Sequence, residues 1–154
     1  MGKRHRGREA ALQCLYQWDS SGGDANAALE HTWLLRKGND PPGTQEFARQ
    51  LVSGVVASIQ EIDGLIGEQA DNWRVGRMGA VDRNVLRLGV YELMHGEAPP
   101  AVVIDEAIEL AKEFSDDTAG QFVNGVLDGI RHRIGGESEV DKKSRSQDRR
   151  KTIV

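Results

Sequence analysis

Where apolar residues recur in this chain, they recur at intervals of three and four. Phe47, Leu51, Val55, Ile59, Ile62 and Ile66 form one such row, and Phe122, Val123, Val126, Leu127 and Ile130 form another. A period near 3.6 gathers these side chains into one stripe of an α-helix, whereas a half-buried strand alternates with a period of two. AVVI at 101–104 is the one strand-like run, but helical spacing continues through it to Ala107, Leu110, Ala111 and Phe114. The chain therefore predicts an all-α bundle of about seven helices.

Breakers divide the pattern. A first helix is expected from about Gly7 to Ser20, with Ala11, Leu15 and Trp18 inward and Gly22-Gly23 as its stop. A second covers about Asp24 to Lys37, with Ala25, Ala28, Leu29, Thr32 and Leu35 inward. GNDPPG breaks the chain, and Thr44 is the expected N-cap of a third, which Asp63-Gly64 divides in two. RVGRMGAV reads as a loop and Asp82 as the next cap, ahead of Val85, Leu86, Leu88, Tyr91 and Leu93. Pro99-Pro100 restart the chain, SDDTAG offers several caps, and a last helix runs from about Ala119 to Arg133. The 154 residues suit one domain with a tail. They divide into a basic arm at 1–7, a helical domain at 8–134, and a charged tail at 135–154 expected to be disordered.

Charge is distributed unevenly. The formal net charge is -4, yet Lys3, Arg4, Arg6 and Arg8 stand in the first eight residues with no acid among them. Residues 9–134 hold ten basic and twenty acidic side chains. Such a body repels nucleic acid in general and attracts basic proteins. Any contact with RNA must then be local, since screening limits each field to about 8 Å at physiological salt.

Little here suggests catalysis. His5, His31, His95 and His132 stand at no metal-ligand spacing with one another or with Cys14, and phosphate-binding loops and nucleophile elbows are missing. Asp105 and Glu109 share a helix face and read as solvated. No cofactor and no metal are predicted. The lone Cys14 reads as a small core residue, excludes an intramolecular disulfide and points to a reducing, cytoplasmic setting. No apolar run reaches the roughly 18 residues of a membrane span.

The basic start remains to be explained. Cations in a first turn oppose the helix dipole, and Arg4 and Arg8 would repel at i, i+4. Arginines beside free N–H groups suit phosphate, and Tyr16 lies two turns on as a ring for stacking a base. An idle basic terminus is the alternative reading. Four cations imply a salt slope near -3 on single-stranded RNA, which is weak binding and calls for a second protein.

Four stretches resemble the NusB family: REAALQCLYQW at 8–18, VDRNVLRLGVYEL at 81–93, PPAVVIDEAIELAKEF at 99–114 and FVNGVLDGI at 122–130. The resemblance covers about residues 4–133. It implies two helical subdomains without enzymatic activity. It also implies pairing with NusE, a basic ribosomal protein, and joint binding of the boxA element of ribosomal RNA leaders within an RNA polymerase antitermination complex. On that resemblance RNA is contacted by Lys3, Arg4, His5, Arg6, Arg8 and Tyr16, with His5 at a position where the family has arginine. Tyr16 and Asp82 fall on the side of the ribosomal protein. The family pattern EDSxKFVNG appears here as DDTAGQFVNG, which places Asp117, Thr118, Gln121 and Phe122 at a second RNA edge with fewer charges than the family's. The apolar stripe favours a core role for Phe122, and Asn124 reads as structural. Charge reversal at Arg4, Arg6 and Arg8 together is expected to abolish RNA binding without unfolding the helices. Two other readings remain: an accessory domain related to that of rRNA cytosine methyltransferases, and a protein-only helical adaptor.

Overall fold

The computed structural model describes residues 2–70 and 74–153, with side chains through residue 135. Seven α-helices and one short 3-10 turn, Val75–Arg77, make up its regular structure, and no strand occurs among the described residues. The helices are α1 (Lys3–Ser21), α2 (Ala25–Arg36), α3 (Thr44–Ala57), α4 (Ile59–Gln69), α5 (Ala80–His95), α6 (Pro100–Phe114) and α7 (Asp117–Ile153). Helices α1, α2 and α3 pack on one another, as do α5, α6 and α7, while α4 leans on α5 and α7. Contacts of α1 and α3 with α5 join the two groups. The apolar stripes meet in one core, in which Leu15, Val52, Val55, Ile62, Ile66, Leu86, Leu127 and Ile130 are fully buried. Burying a side chain of that size contributes about 1.5–3 kcal/mol.

Several boundaries differ from expectation, each for a local reason. Helix α1 begins at Lys3, so the basic arm is its first turn and not a separate segment. Thr44 is the first residue of α3, and Gly43 takes the cap position at φ 88°, a left-handed conformation that glycine adopts without strain. The break in the third helical row falls at Ser58, whose N–H bonds to the carbonyls of both Gly54 and Val55. Asp63 and Gly64 lie inside α4. Asp82 sits within the first turn of α5, where its charge favours the dipole. Leu35 points outward at 68% exposure; the buried stripe of α2 is Ala28, Leu29 and Thr32. The backbone of α7 is helical across Gly135-Gly136, where the sequence predicts an end, and continues to Ile153. The side chains of 136–154, with the basic residues of the expected tail, lie outside the described residues.

The joint between the two helical groups depends on a glycine. A Cβ on Gly54 of α3 would overlap the ring of Tyr91 on α5. Gly54→Ala therefore forces Tyr91 away and is expected to cost about 1–3 kcal/mol, more than the roughly 1 kcal/mol that alanine adds in helix propensity. A thermal melt lowered by several degrees checks this.

A buried polar network makes the second joint. Arg83 and Arg87 project from the apolar side of α5. Asp19 at the end of α1 meets Arg83 Nε at 2.7 Å, Asn84 Nδ2 at 3.1 Å and Arg87 Nη1 at 3.3 Å. Arg87 also holds Asp63 of α4 in a two-pronged contact at 2.9 and 2.8 Å. Arg83 donates to the carbonyls of Val75 and Met78 and so fixes the turn ahead of α5. Burial opposes the charge on Asp19, but the hydrogen bonds of Arg83 and Asn84 and the charge of Arg87 outweigh it and hold the carboxyl below its usual range. A carboxyl depressed on folding stabilises above its unfolded pKa of about 3.9, and that contribution disappears as pH falls through the folded value. Urea melts should show wild type well above Asp19→Asn at pH 7, and the gap should close below about pH 4.

Candidate nucleic-acid interface

The expected site residues divide into an outward and an inward set. Lys3 and Arg4 are exposed and make no ion pair among the described residues. His5, Arg6 and Arg8 turn to acids on other elements. Arg8 is 4% exposed. Its Nε and Nη2 donate to the two oxygens of Glu92 on α5 at 2.9 and 2.8 Å, and its guanidinium lies 5.6 Å from the centre of the Phe47 ring. The hydrogen bond and charge of Glu92 outweigh burial, so this guanidinium stays charged. Arg8 thus ties α1 to α5 and α3.

Arg6 donates to Asp40 at 2.9 Å and Glu9 at 3.2 Å. Arg36 meets the same Asp40 with two contacts of 2.7 Å and reaches Gln13 and the carbonyl of Arg6. The loop broken by Pro41-Pro42 is thereby fastened to the first turn of α1. Asp40 lies below the usual carboxylate range, chiefly through the hydrogen bond from Arg36. His5 bridges helices: Nδ1 meets Glu106 of α6 at 3.0 Å, and Nε2 lies 2.8 Å from Glu9. The Glu106 hydrogen bond raises the imidazole above its usual range although burial opposes it. A first turn that works against the helix dipole is thus held by acids on α1, α5, α6 and the α2–α3 loop. Of the three arginines in the expected charge reversal, Arg8 is a buried structural group, so the triple variant would disturb folding as well.

Arg4 opens onto a cleft of about 180 Å³ shared with Gln50, Tyr91, His95 and Glu97. Further along α1, Tyr16 is 47% exposed. It lines a groove of about 440 Å³ with Leu12, Gln13, Val81 and Phe114. Beside that groove, Asp82, Asp116, Thr118 and Phe122 meet in a cleft of about 290 Å³ floored by Met78 and Ala119. Burial, with the charge of Asp116 behind it, raises the Asp82 carboxyl above its usual value. Asp116 Oδ1 accepts from Ala119 N–H at 2.7 Å and so caps α7. Phe122 both lines this cleft and packs against the core. Asp117, Gln121 and Asn124 are exposed on the first turns of α7. The fold therefore brings Tyr16, Asp82, Thr118 and Phe122 to one edge, and leaves Lys3 and Arg4 at the far end of α1, about 18 Å away along the helix.

The acids that receive the basic arm carry no local sequence signal, since Glu92 and Glu106 lie 84 and 101 residues from their partners. Arg87 does carry one. It is charged, yet sits between Leu86 and Leu88 on a buried face, and so demands a buried acid. Cys14 is buried, as expected, and burial pushes its thiol up to about 11.

The family model described as NusB family matches residues 5–132. The chain belongs to the NusB family. It is 46% identical over 136 residues to the transcription antitermination protein NusB of Sorangium cellulosum, covering 88% of this chain and 96% of that one. Among solved structures it resembles the antitermination factors NusB and NusE in complex with double-stranded RNA, at a TM-score of 0.78 and 34% identity over 85% of this chain and 97% of that one. NusB from Aquifex aeolicus superposes with a TM-score of 0.76 at 34% identity, over 88% and 93% of the two chains. The match includes α1 from its third residue onward and the whole edge from Tyr16 to Phe122. No described helix is long and apolar enough to cross a membrane.

Proposed function

We propose that this NusB-family chain is a cytoplasmic transcription antitermination factor. It binds boxA-type leader RNA together with NusE and acts within an RNA polymerase antitermination complex. The observation that carries this reading is the division of the basic arm. Within the basic run at 3–8, Lys3 and Arg4 are exposed and have no ion-pair partner among the described residues, on a body that is otherwise acidic. Two phosphate contacts supply a salt slope of only about -1.4 on single-stranded RNA, so a partner must add the rest.

In this reading Lys3 and Arg4 contact RNA phosphates. Asp117, Thr118, Gln121 and Phe122 form a second RNA edge, with Gln121 and Thr118 donating hydrogen bonds and Phe122 offering ring area. Tyr16 and Asp82 face NusE, where the acid at the Met78–Phe122 cleft suits a cationic side chain. His5, Arg6 and Arg8 act indirectly by holding the first turn in place. The complex of NusB and NusE with RNA supports the pairing. Titration calorimetry with the ribosomal protein checks it: one-to-one binding, weakened at least tenfold by Asp82→Lys, is the expected result. Undiminished binding by that variant would remove Asp82 from the partner face.

A further inference from the structure

Between the first two turns of α1 and the last turns of α6 the structure gathers a ligand set that the RNA reading does not use. His5 and Glu9 stand at i, i+4 on α1, so both side chains leave the same helix face. One ligand atom each from His5, Glu9 and Glu113 falls within 4.8 Å of the others.

The decisive detail is at His5. Its Nε2 is buried and has no well-aligned hydrogen bond among the described residues, although Glu9 Oε1 is only 2.8 Å away as an ion-pair contact. The carboxylate oxygen therefore lies off the N–H direction. Two atoms that share one ion can also take up this relation. Once Nε2 gives up its proton to the ion, each would direct a lone pair at it, and at bond lengths of about 2.0–2.2 Å the right-angle ligands of an octahedral ion stand about 3 Å apart. The other imidazole nitrogen is placed as a metal-bound histidine needs, since Nδ1 faces Glu106 at 3.0 Å and can donate its proton there. Glu9 has its second oxygen engaged by Arg6 at 3.2 Å, which leaves Oε1 turned toward the imidazole. Glu113 is exposed and provides the open side through which an ion would enter.

We infer that His5, Glu9 and Glu113 form a binding site for a divalent transition-metal ion of the Zn²⁺ or Mn²⁺ type, with Glu106 orienting the imidazole. One nitrogen and two carboxylate oxygens suit such ions, and water would complete the coordination. The ion would fasten the first turn of α1 to α6 and so set where Lys3 and Arg4 stand. The site does not depend on the RNA reading.

The test is calorimetric titration of the untagged, chelator-treated full chain with Zn²⁺ and, separately, with Mn²⁺. One equivalent is expected to bind and to shift the His5 imidazole resonances in a proton NMR spectrum. Glu113→Gln, an exposed substitution that leaves the core intact, should weaken binding at least tenfold. Glu106→Gln should weaken it about tenfold through loss of orientation. Glu109→Gln, on an exposed acid one turn away on α6, should leave it unchanged. Absence of binding by wild type, or binding that Glu113→Gln leaves intact, would overturn the assignment.

Discussion

Replacing Arg8 with methionine is expected to destabilise the fold by about 3–5 kcal/mol, the cost of leaving one member of a buried ion pair without its partner. Both side chains are almost fully enclosed, Arg8 at 5% and Glu92 at 6% exposure, so water cannot take over the lost contact. The methionine fills much of the volume beside Phe47 but leaves two carboxylate oxygens buried and unpaired. Removing the acid as well should reverse most of the loss. Arg8→Met with Glu92→Leu replaces the pair by apolar groups, an exchange that is often neutral. Urea denaturation followed by circular dichroism checks both. A single variant that loses less than about 1 kcal/mol would show that Arg8 behaves as a surface cation.

The second large effect is expected at Lys3 and Arg4. Lys3→Glu with Arg4→Glu should lower affinity for leader RNA by roughly ten- to a hundredfold at low salt and reduce the salt slope by about 1.4. Stability should hardly change, because neither side chain has an ion-pair partner among the described residues to lose. The added acids also suit the N-terminal end of the helix dipole, so helix content should be kept or slightly raised. The contrast separates two roles within one short basic run: Arg8 should move stability, and the Lys3–Arg4 pair should move RNA affinity and its salt dependence.

Much of the fold was legible because its signal is local. The rows through α3, α5, α6 and α7 are long, and an apolar stripe at helical spacing has few other uses. The boundary of α1 was not legible. Its first turn is unfavourable by dipole and by like charge, and what compensates comes from Asp40, Glu92 and Glu106, far along the chain. The same non-local pairing explains why composition could identify a basic arm but could not divide it into Lys3 and Arg4 outward and His5, Arg6 and Arg8 inward. Leu35 was misplaced because α2 is short and its stripe weak: the helix spends its last turn on the Arg36–Asp40 contact and leaves the leucines exposed. At the second edge, the four stretches singled out Asp82 and Phe122 along the chain. Only the packing of α5 against the α6–α7 turn shows that they share one cleft with Thr118.

On the proposed function, the arm's division predicts weak RNA affinity for the isolated chain. Three of its five basic and imidazole groups are occupied in holding α1 to the body. Two remain for phosphate, and the body around them is acidic. A partner carrying positive charge would be attracted to that body and would supply the missing contacts.

The most direct measurement is a fluorescence-anisotropy titration of boxA-type leader RNA at two salt concentrations, with and without NusE, using wild type and Lys3→Glu with Arg4→Glu. Wild type alone should bind weakly with a slope near -1.4, NusE should strengthen binding and steepen the slope, and the double variant should lose affinity in both settings. Equal affinity for wild type and the double variant, or no gain from NusE, would contradict the account.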